Sequence, residues 1–205
     1  MSPPGADTPV PREAAEALAG FANLVTDWNR RINLLSRSEA GDIWSRHIGD
    51  SAQLLRLAPA AAKTWLDLGS GAGFPALVCA AIAKAENRTV AFTLVEADGR
   101  KAAFLREAAR RMGLDVAVLR RRIEELSIPA QDLISARALA PLGQLLAYAA
   151  PFSHERTVLL LPKGRQADSE LTLARRDWHI RAVRVPSRTD PEATILRLSE
   201  VSRRR

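Results

Sequence analysis

The sequence predicts an α/β fold in which a mainly parallel, seven-stranded sheet carries helices on both faces and follows an N-terminal helical extension. From about residue 63 onward, short apolar runs alternate with helical segments, which is typical of parallel strands joined by crossover helices. Before that point the pattern is helical only. With 205 residues, the chain is long enough to bury a core without disulfide bonds. Its composition, 47% hydrophobic and 26% charged, is typical of a globular protein.

The expected strands are seven short apolar runs: Thr64–Leu68, Ala91–Glu96, Val116–Leu119, Leu133–Ser135, Val158–Leu161, Ile180–Val185 and Thr194–Leu198. The helices expected between them are Pro75–Ala83, Gly99–Met112, Pro141–Ala150 and Asp168–Arg176. The second of these helices has the clearest ends. Asp98 can cap its N-terminus, and Gly113 can adopt the left-handed conformation that ends many helices.

The helical extension is expected at residues 12–62. Its first helix, Ala14–Trp28, places apolar residues on one stripe, and its second is expected from Ile43 to Leu57, before Pro59. Residues 1–11 contain four of the twelve prolines and are expected to be a disordered leader. Residues 63–200 then form the main domain, and residues 201–205 form a basic tail.

Composition excludes several classes of protein. No run approaches the roughly 20 apolar residues of a membrane helix, and the first residues lack the pattern of a secretory signal. We therefore expect no membrane contact and a cytoplasmic location. The single cysteine, Cys79, excludes an internal disulfide and a multi-cysteine zinc site. The net charge of +7 favours a polyanionic partner, although an arginine-rich solvated surface would give the same charge.

The clearest local motif is a glycine loop, Asp67–Pro75, between a strand and a helix. Glycines at alternate positions allow a tight turn and a close approach of ligand to backbone. A dinucleotide fingerprint can be threaded through Gly71, Gly73 and Ala76, so a nicotinamide cofactor is one alternative. Glu96 ends the next strand, where an acid can accept hydrogen bonds from both ribose hydroxyls. That position indicates a nucleoside ligand without distinguishing a nicotinamide cofactor from S-adenosylmethionine.

The order of several motifs resembles one known family. The motifs are Asn33-Leu34-Leu35-Ser36, Arg46-His47-Ile48-Gly49-Asp50-Ser51, Gly73-Phe74-Pro75, Ile123-Glu124-Glu125, Ile134-Ser135-Ala136-Arg137-Ala138 and Lys163-Gly164. The Asp-x-Gly-x-Gly-x-Gly order from Asp67 resembles the first motif of class I S-adenosylmethionine-dependent methyltransferases. Together the motifs resemble the RsmG (GidB) family of bacterial small-subunit rRNA methyltransferases, from about Phe21 to Leu198.

The resemblance implies a class I methyltransferase fold with an antiparallel last strand, S-adenosylmethionine as cofactor, and methyl transfer to N7 of guanine 527 in 16S rRNA. The substrate would be a small ribosomal subunit or an assembly intermediate, and the enzyme a monomer. The residues implied to bind the cofactor are Gly69, Gly71, Phe74, Glu96, Ile123, Glu124 and Arg137. Arg137 is also the expected catalytic residue, acting by positioning, while Arg46 and Lys163 are expected to contact RNA.

Guanine N7 carries a lone pair and no proton, so we expect no general base, no catalytic triad and no metal. Residues 135–138 read Ser-Ala-Arg-Ala where many base methyltransferases have Asn-Pro-Pro-Tyr or Asp-Pro-Pro-Tyr to engage an exocyclic amine. This difference argues against adenine N6 as the target. We expect His47 to be structural, packing the extension against the sheet through Asp50 or Arg46. Two alternatives stay open on sequence: a noncatalytic RNA-binding ribosome-assembly factor and a nicotinamide-dependent oxidoreductase.

Overall fold

The structure is a computed structural model, which describes residues 10–36 and 41–204 of the chain. The disordered leader expected at residues 1–11 lies outside the described residues except for Val10 and Pro11. Arg205, at the end of the expected tail, also lies outside them. None of the helices in the described ranges is long and apolar enough to cross a membrane.

Seven strands of the described chain form one sheet: β1 (Thr64–Leu68), β2 (Ala91–Val95), β3 (Val116–Leu119), β4 (Gln131–Ala136), β5 (Ser153–Lys163), β6 (Trp178–Pro186) and β7 (Thr194–Arg203). Their order across the sheet is β3-β2-β1-β4-β5-β7-β6. The pairings among β1 to β5 are parallel, whereas β7 runs antiparallel between β5 and β6. The predicted fold class, including the antiparallel last strand, is confirmed.

The prediction of a basic tail at residues 201–205 is wrong for residues 201–203, because they continue β7. Their backbone pairs with the beginning of β6, where Trp178 stands opposite Arg203. The backbone N–H of Arg204 then donates to the carbonyl of Asp177 at 2.8 Å. Charge does not prevent this extension, because the pairing uses backbone groups and leaves the side chain of Arg203 exposed.

Six α-helices in the described ranges accompany the sheet: α1 (Arg12–Asn29), α2 (Gly49–Leu57), α3 (Ala76–Ala85), α4 (Gly99–Arg111), α5 (Leu142–Ala149) and α6 (Ala167–Ala174). The single helix expected from Ile43 to Leu57 is interrupted. Its first six residues, Ile43–Ile48, wind as a π-helix before α2 begins. The N–H of Gly49 bonds to the carbonyl of Trp44, five residues earlier, which is the wider winding of that helix type.

The two faces of the sheet carry separate apolar clusters. Helices α1 to α4 cover one face, where the ring of Phe21 lies 5.2 Å from Phe74 and 6.3 Å from Phe104. Helices α5 and α6 cover the other face, around residues such as Leu66 and Leu146. The N-terminal extension therefore shares one core with the sheet and stabilises it by apolar burial.

The ends of α4 follow the prediction. The carboxylate of Asp98 accepts hydrogen bonds from the backbone N–H groups of Arg100 and Lys101, at 2.7 and 3.1 Å. Gly113 has φ of +61° just beyond the helix. Both capping interactions are confirmed, and they fix the start of α4 immediately after the end of β2.

The strand order changes direction at β1, with β2 on one side and β4 on the other. In open parallel sheets such a reversal leaves a crevice at the carboxyl ends of the strands, where ligands bind. Leu68 pairs with Ala136 at the ends of β1 and β4. Gly69 and Arg137 are therefore the first residues beyond the two central strands, on either side of the crevice.

A buried polar chain links these same two strands. The Trp65 Nε1–H donates to Ser135 Oγ at 2.8 Å, and Ser135 Oγ donates to Asp67 Oδ1 at 2.5 Å. Asp67 is only 1% exposed, and its Oδ2 has no hydrogen-bond partner among the described residues. Burial raises the pKa of Asp67 from 3.8 to about 6, against the opposing effect of the Ser135 hydrogen bond.

We predict that Asp67 makes stability fall as the pH rises from 4 to 7. Because the folded-state pKa is raised, the stabilising contribution of the protonated acid is complete below about 3.8 and is lost as the pH rises through about 6. Asp67→Asn cannot ionise, and its Oδ1 still accepts from Ser135. Relative to this variant, the wild type should lose about 2 kcal/mol of unfolding free energy between pH 4 and 7.

Urea unfolding of both proteins across the pH range measures this difference. All other ionisable groups are common to the two proteins and cancel in the comparison. A difference in unfolding free energy that stays constant from pH 4 to 7 would contradict the prediction.

Candidate functional site

A cavity of about 420 Å³ opens at the carboxyl ends of β1, β2 and β4. This volume lies within the range of small-molecule sites. All seven residues to which the sequence assigns the cofactor line it: Gly69, Gly71, Phe74, Glu96, Ile123, Glu124 and Arg137. Residues far apart in the chain are therefore brought to one place, at the crevice that the strand order creates.

The glycine loop leaves room for a ligand at one glycine and packs tightly at another. A Cβ at Gly73 would lie 2.6 Å from Leu77 Cδ1, so this glycine lets the loop pack against α3. At Gly71, which has φ of +52°, the one atom of the described residues within 4 Å of a Cβ would be the Gly69 carbonyl oxygen, at 3.8 Å. Since Gly71 lines the cavity, a side chain there would take space that a ligand needs.

Glu96 holds the glycine loop against the end of β2. Its Oε2 accepts a hydrogen bond from the Gly71 N–H and its Oε1 accepts one from the Asp98 N–H, both at 2.9 Å. The carboxylate thus joins the loop to the start of α4. Each oxygen has a second lone pair, so these bonds are compatible with further acceptance from ribose hydroxyls.

Phe74 and Arg137 both line the cavity, and they form a cluster with His47, which does not line it. The guanidinium carbon of Arg137 lies 5.3 Å from the centre of the Phe74 ring. The His47 ring stacks on Phe74 at 5.0 Å and 27°, and its Nδ1 lies 2.6 Å from Arg137 Nη1. His47 is buried, at 3% exposure.

The expected contacts of His47 need correction. The sequence suggested that His47 packs the extension against the sheet through Asp50 or Arg46. In the structure His47 contacts Arg137 and Phe74, whereas Asp50 accepts hydrogen bonds from Ser187 and Thr189. The sequence could not show this, because His47 and Arg137 are ninety residues apart and meet only through tertiary packing.

Sequence reasoning missed several residues that also line the cavity: Leu34, Leu35, Lys101, Arg121, Arg122, Leu139 and Tyr148. Leu34 and Leu35 lie within the family motif Asn33–Ser36, and Arg121 and Arg122 come directly before Ile123. Their positions in the sequence could therefore have predicted that they lie near the cofactor site. Tyr148 lies on α5, and its position gave no such signal. Within the described ranges, no carboxylate lies within 4 Å of the charged groups of Lys101, Arg121 or Arg122.

Neither residue expected to contact RNA lines the cavity. Arg46 forms an ion pair with Asp190 at 3.2 Å, and its side chain is 49% exposed. Lys163 is only 10% exposed, and its ammonium donates to Glu170 at 2.8 Å and to the Ala140 carbonyl at 2.9 Å. This burial does not fit a freely accessible phosphate contact.

Glu170 connects Lys163 to the start of α5. Its Oε2 accepts from the Lys163 ammonium and also from the Leu142 N–H, at 2.6 Å. The lysine therefore fixes the segment that follows Arg137, through Ala140 and through Glu170. Its position indicates a role in shaping the cavity wall.

We predict that Lys163→Ala lowers the free energy of unfolding by about 2 kcal/mol, because it leaves the mostly buried Glu170 without its cation. Arg46→Ala is the matched control, and loss of its exposed pair should cost under about 1 kcal/mol. Chemical denaturation of both variants measures this. Adding Glu170→Gln to Lys163→Ala should restore part of the loss, since the amide still accepts from Leu142. A Lys163→Ala protein of wild-type stability would contradict the structural role.

The comparisons with known proteins agree with this geometry. The model of the GidB family, described as rRNA small subunit methyltransferase G, matches residues 14–194. The ribosomal RNA small subunit methyltransferase G of Rhodospirillum centenum is 48% identical, over 95% of this chain and 88% of its own. The protein of that name from Gluconobacter oxydans is 47% identical, over 96% of this chain and 98% of its own.

Solved structures share the fold at much lower identity. A putative class I S-adenosylmethionine-dependent methyltransferase from Listeria monocytogenes has a TM-score of 0.67 at 10% identity, covering 93% of this chain and 69% of its own. The N-methyltransferase NodS from Bradyrhizobium japonicum, in complex with S-adenosyl-L-homocysteine, has a TM-score of 0.58 at 15% identity, covering 87% and 98%. The class I methyltransferase fold is confirmed.

The family model covers most of the chain, and the two relatives are nearly half identical to it over almost their whole length. The resemblance inferred from the motifs is therefore confirmed. This chain belongs to the GidB family, rRNA small subunit methyltransferase G.

Proposed function

We propose that this protein transfers a methyl group from S-adenosylmethionine to N7 of guanine 527 in 16S rRNA, within the small ribosomal subunit or an assembly intermediate. The observation that carries the proposal is the cavity between the Glu96-braced glycine loop and Arg137, in a chain of this family. The proposed location is the bacterial cytoplasm, and the proposed active form is a monomer.

The residues around the cavity fit S-adenosylmethionine. Gly71 leaves open space where any side chain would intrude, and Glu96 offers carboxylate lone pairs beside the loop. Ile123 and Glu124 lie in a short turn that also lines the cavity. We assign Ile123 to the face of the adenine and Glu124 to its polar edge, because apolar packing with one polar reader is the usual way to hold a purine.

S-adenosylmethionine supplies a methyl group on a positively charged sulfur. The protein's part is to orient the guanine and exclude water, since N7 has no proton to remove. Arg137 lines the cavity and can donate hydrogen bonds to guanine O6 while N7 stays free. Leu34, Leu35 and Leu139 provide apolar walls that limit the access of water.

The rim of the cavity is suited to the RNA backbone. Lys101, Arg121 and Arg122 line it, and we assign them to phosphate contacts, which give affinity and salt dependence with little sequence choice. Arg46 is a further proposed phosphate contact because half of its side chain is exposed. Choice of one guanine then depends on the shape of the rRNA that presents it.

The alternatives from sequence lose support. The family consists of methyltransferases, so the hypothesis of a nicotinamide-dependent oxidoreductase is excluded. A noncatalytic assembly factor needs no open cavity at the carboxyl ends of the strands, yet the glycine loop, Glu96 and Arg137 together form one.

Methyl transfer can be tested directly. The protein is incubated with labelled S-adenosylmethionine and small subunits from a strain that lacks the modification, and N7-methylguanine is mapped by chemical cleavage of the rRNA. We expect label at one guanine of 16S rRNA. Cofactor binding without any label would favour the noncatalytic assembly factor.

We predict that Gly71→Asp abolishes binding of S-adenosylmethionine, with an affinity loss of at least about 100-fold. The new carboxylate would extend into the cavity and lie close to Glu96, so both volume and charge oppose the ligand. Isothermal titration calorimetry measures the affinity. Gly20→Asp is the matched control, because no described residue beyond its own helix backbone and chain neighbours lies within 4 Å of a Cβ at that exposed helical position. An unchanged affinity in folded Gly71→Asp protein would rule out the proposed position of the cofactor.

A further inference from the structure

The contact between His47 and Arg137 fixes the protonation state of the histidine. Arg137 Nη1 and His47 Nδ1 are 2.6 Å apart, which is a hydrogen-bond distance. A guanidinium has only donors, so Nδ1 must be the acceptor. His47 is therefore neutral in this arrangement and carries its proton on Nε2.

His47 is itself held from two sides. Its ring stacks on Phe74, and its backbone carbonyl accepts a hydrogen bond from Ser51 Oγ at 2.6 Å. With 3% exposure, the ring has little freedom to turn away from Arg137. It lies in the π-helix Ile43–Ile48, and that helix type often occurs at functional positions.

The segment that carries His47 is anchored to the loop between β6 and β7. Asp50 accepts hydrogen bonds from the hydroxyls of Ser187 and Thr189. The Gln53 side chain bonds to the backbone at both Pro186 and Arg188, at 2.8 and 3.1 Å. Helix α2 is thereby attached to the far half of the sheet, independently of the His47 contact.

We propose that His47 is a positioning residue for Arg137: it accepts a hydrogen bond on Nδ1 and, with Phe74, holds the guanidinium at the cavity wall in the orientation that receives the target guanine. This role rests on the proposed function, because it acts through Arg137. It predicts an effect on turnover that depends on the acceptor at Nδ1 and not on the packing of the ring.

Two substitutions separate the acceptor from the ring. His47→Phe keeps an aromatic ring against Phe74 and removes the acceptor. His47→Asn loses the ring and keeps an oxygen in the place of Nδ1, whereas His47→Gln moves the amide toward the place of Nε2. His179→Phe is the matched control, because His179 is exposed on β6 and outside the cavity.

We expect His47→Phe to lower kcat about 100-fold, the cost of a small misplacement of a reacting group, with a KM for S-adenosylmethionine close to wild type. His47→Asn should recover most of kcat, and His47→Gln should not. Arg137→Ala combined with His47→Phe should be no slower than Arg137→Ala alone. Melting temperatures of every variant check the fold, and if His47→Phe does not fold, the Asn and Gln variants provide the same comparison.

A wild-type kcat in folded His47→Phe would overturn the proposal. Equal losses in His47→Asn and His47→Gln would also overturn it, because they would indicate packing alone. The proposal would also fail if the loss of kcat in the Arg137→Ala, His47→Phe double variant equalled the product of the two single losses, because the residues would then act independently. Nitrogen-15 NMR of the ring, assigned by the signal that His47→Asn removes, tests the contact without any turnover.

The expected NMR result is a neutral ring protonated on Nε2 in the wild type, and an altered ring signal in Arg137→Ala. A ring protonated on Nδ1 in the wild type would overturn the contact. If the wild type methylates no rRNA while the ring shows the expected tautomer, the proposed function fails and the His47–Arg137 contact stands. If the wild type methylates rRNA but its ring is protonated on Nδ1, the proposed function stands and the His47–Arg137 contact fails.

Discussion

The pairing of β1 with β4 is the constraint on which the rest of the site depends. Its register places Leu68 opposite Ala136, so the two chains leave the sheet side by side at Gly69 and Arg137. Because the strand order reverses here, the glycine loop and the arginine take opposite walls of one crevice. The buried hydrogen bond from Ser135 to Asp67 joins the same pair of strands one position earlier. If one of these strands shifted by one residue relative to the other, the side chains of the shifted strand would point to the opposite face of the sheet.

The N-terminal extension belongs to the site as much as to the core. Phe21 packs on Phe74, which stacks with His47 and lies under the Arg137 guanidinium. Leu34 also reaches the cavity from the extension. A segment that could have been a separate cap is therefore held against the sheet by aromatic packing and supplies part of the cavity wall.

Charge is distributed unevenly between surface and site. On α4, Glu107 contacts both Arg110 and Arg111, which neutralises part of the exposed basic face. Its pKa falls to about 2 because those two guanidinium groups bond to it. At the cavity rim, Arg121 and Arg122 have no such carboxylate among the described residues. Net charge alone does not make this distinction, because it counts paired and unpaired cations equally.

The sequence by itself determined the fold class, the central strands and the caps of α4. Apolar periodicity and the capping residues Asp98 and Gly113 are local signals, so they can be interpreted without tertiary contacts. It also identified the residues that line the cavity around the glycine loop, because a strand followed by alternating glycines creates a ligand position locally. Arg137 follows a predicted strand at the ligand-binding edge of the sheet, and the resemblance to the family gave it a role and added Ile123 and Glu124.

Only the tertiary structure decided what the longer side chains contact. His47 meets Arg137, and Lys163 is buried against Glu170, because packing of the extension and of α6 brings them there. The π-helical winding before α2 and the extension of β7 to Arg203 were equally absent from the local pattern. The side-chain contacts and the strand extension depend on partners that only the fold brings together, and the π-helix differs from an α-helix by one residue in its hydrogen-bond spacing, which apolar periodicity does not resolve.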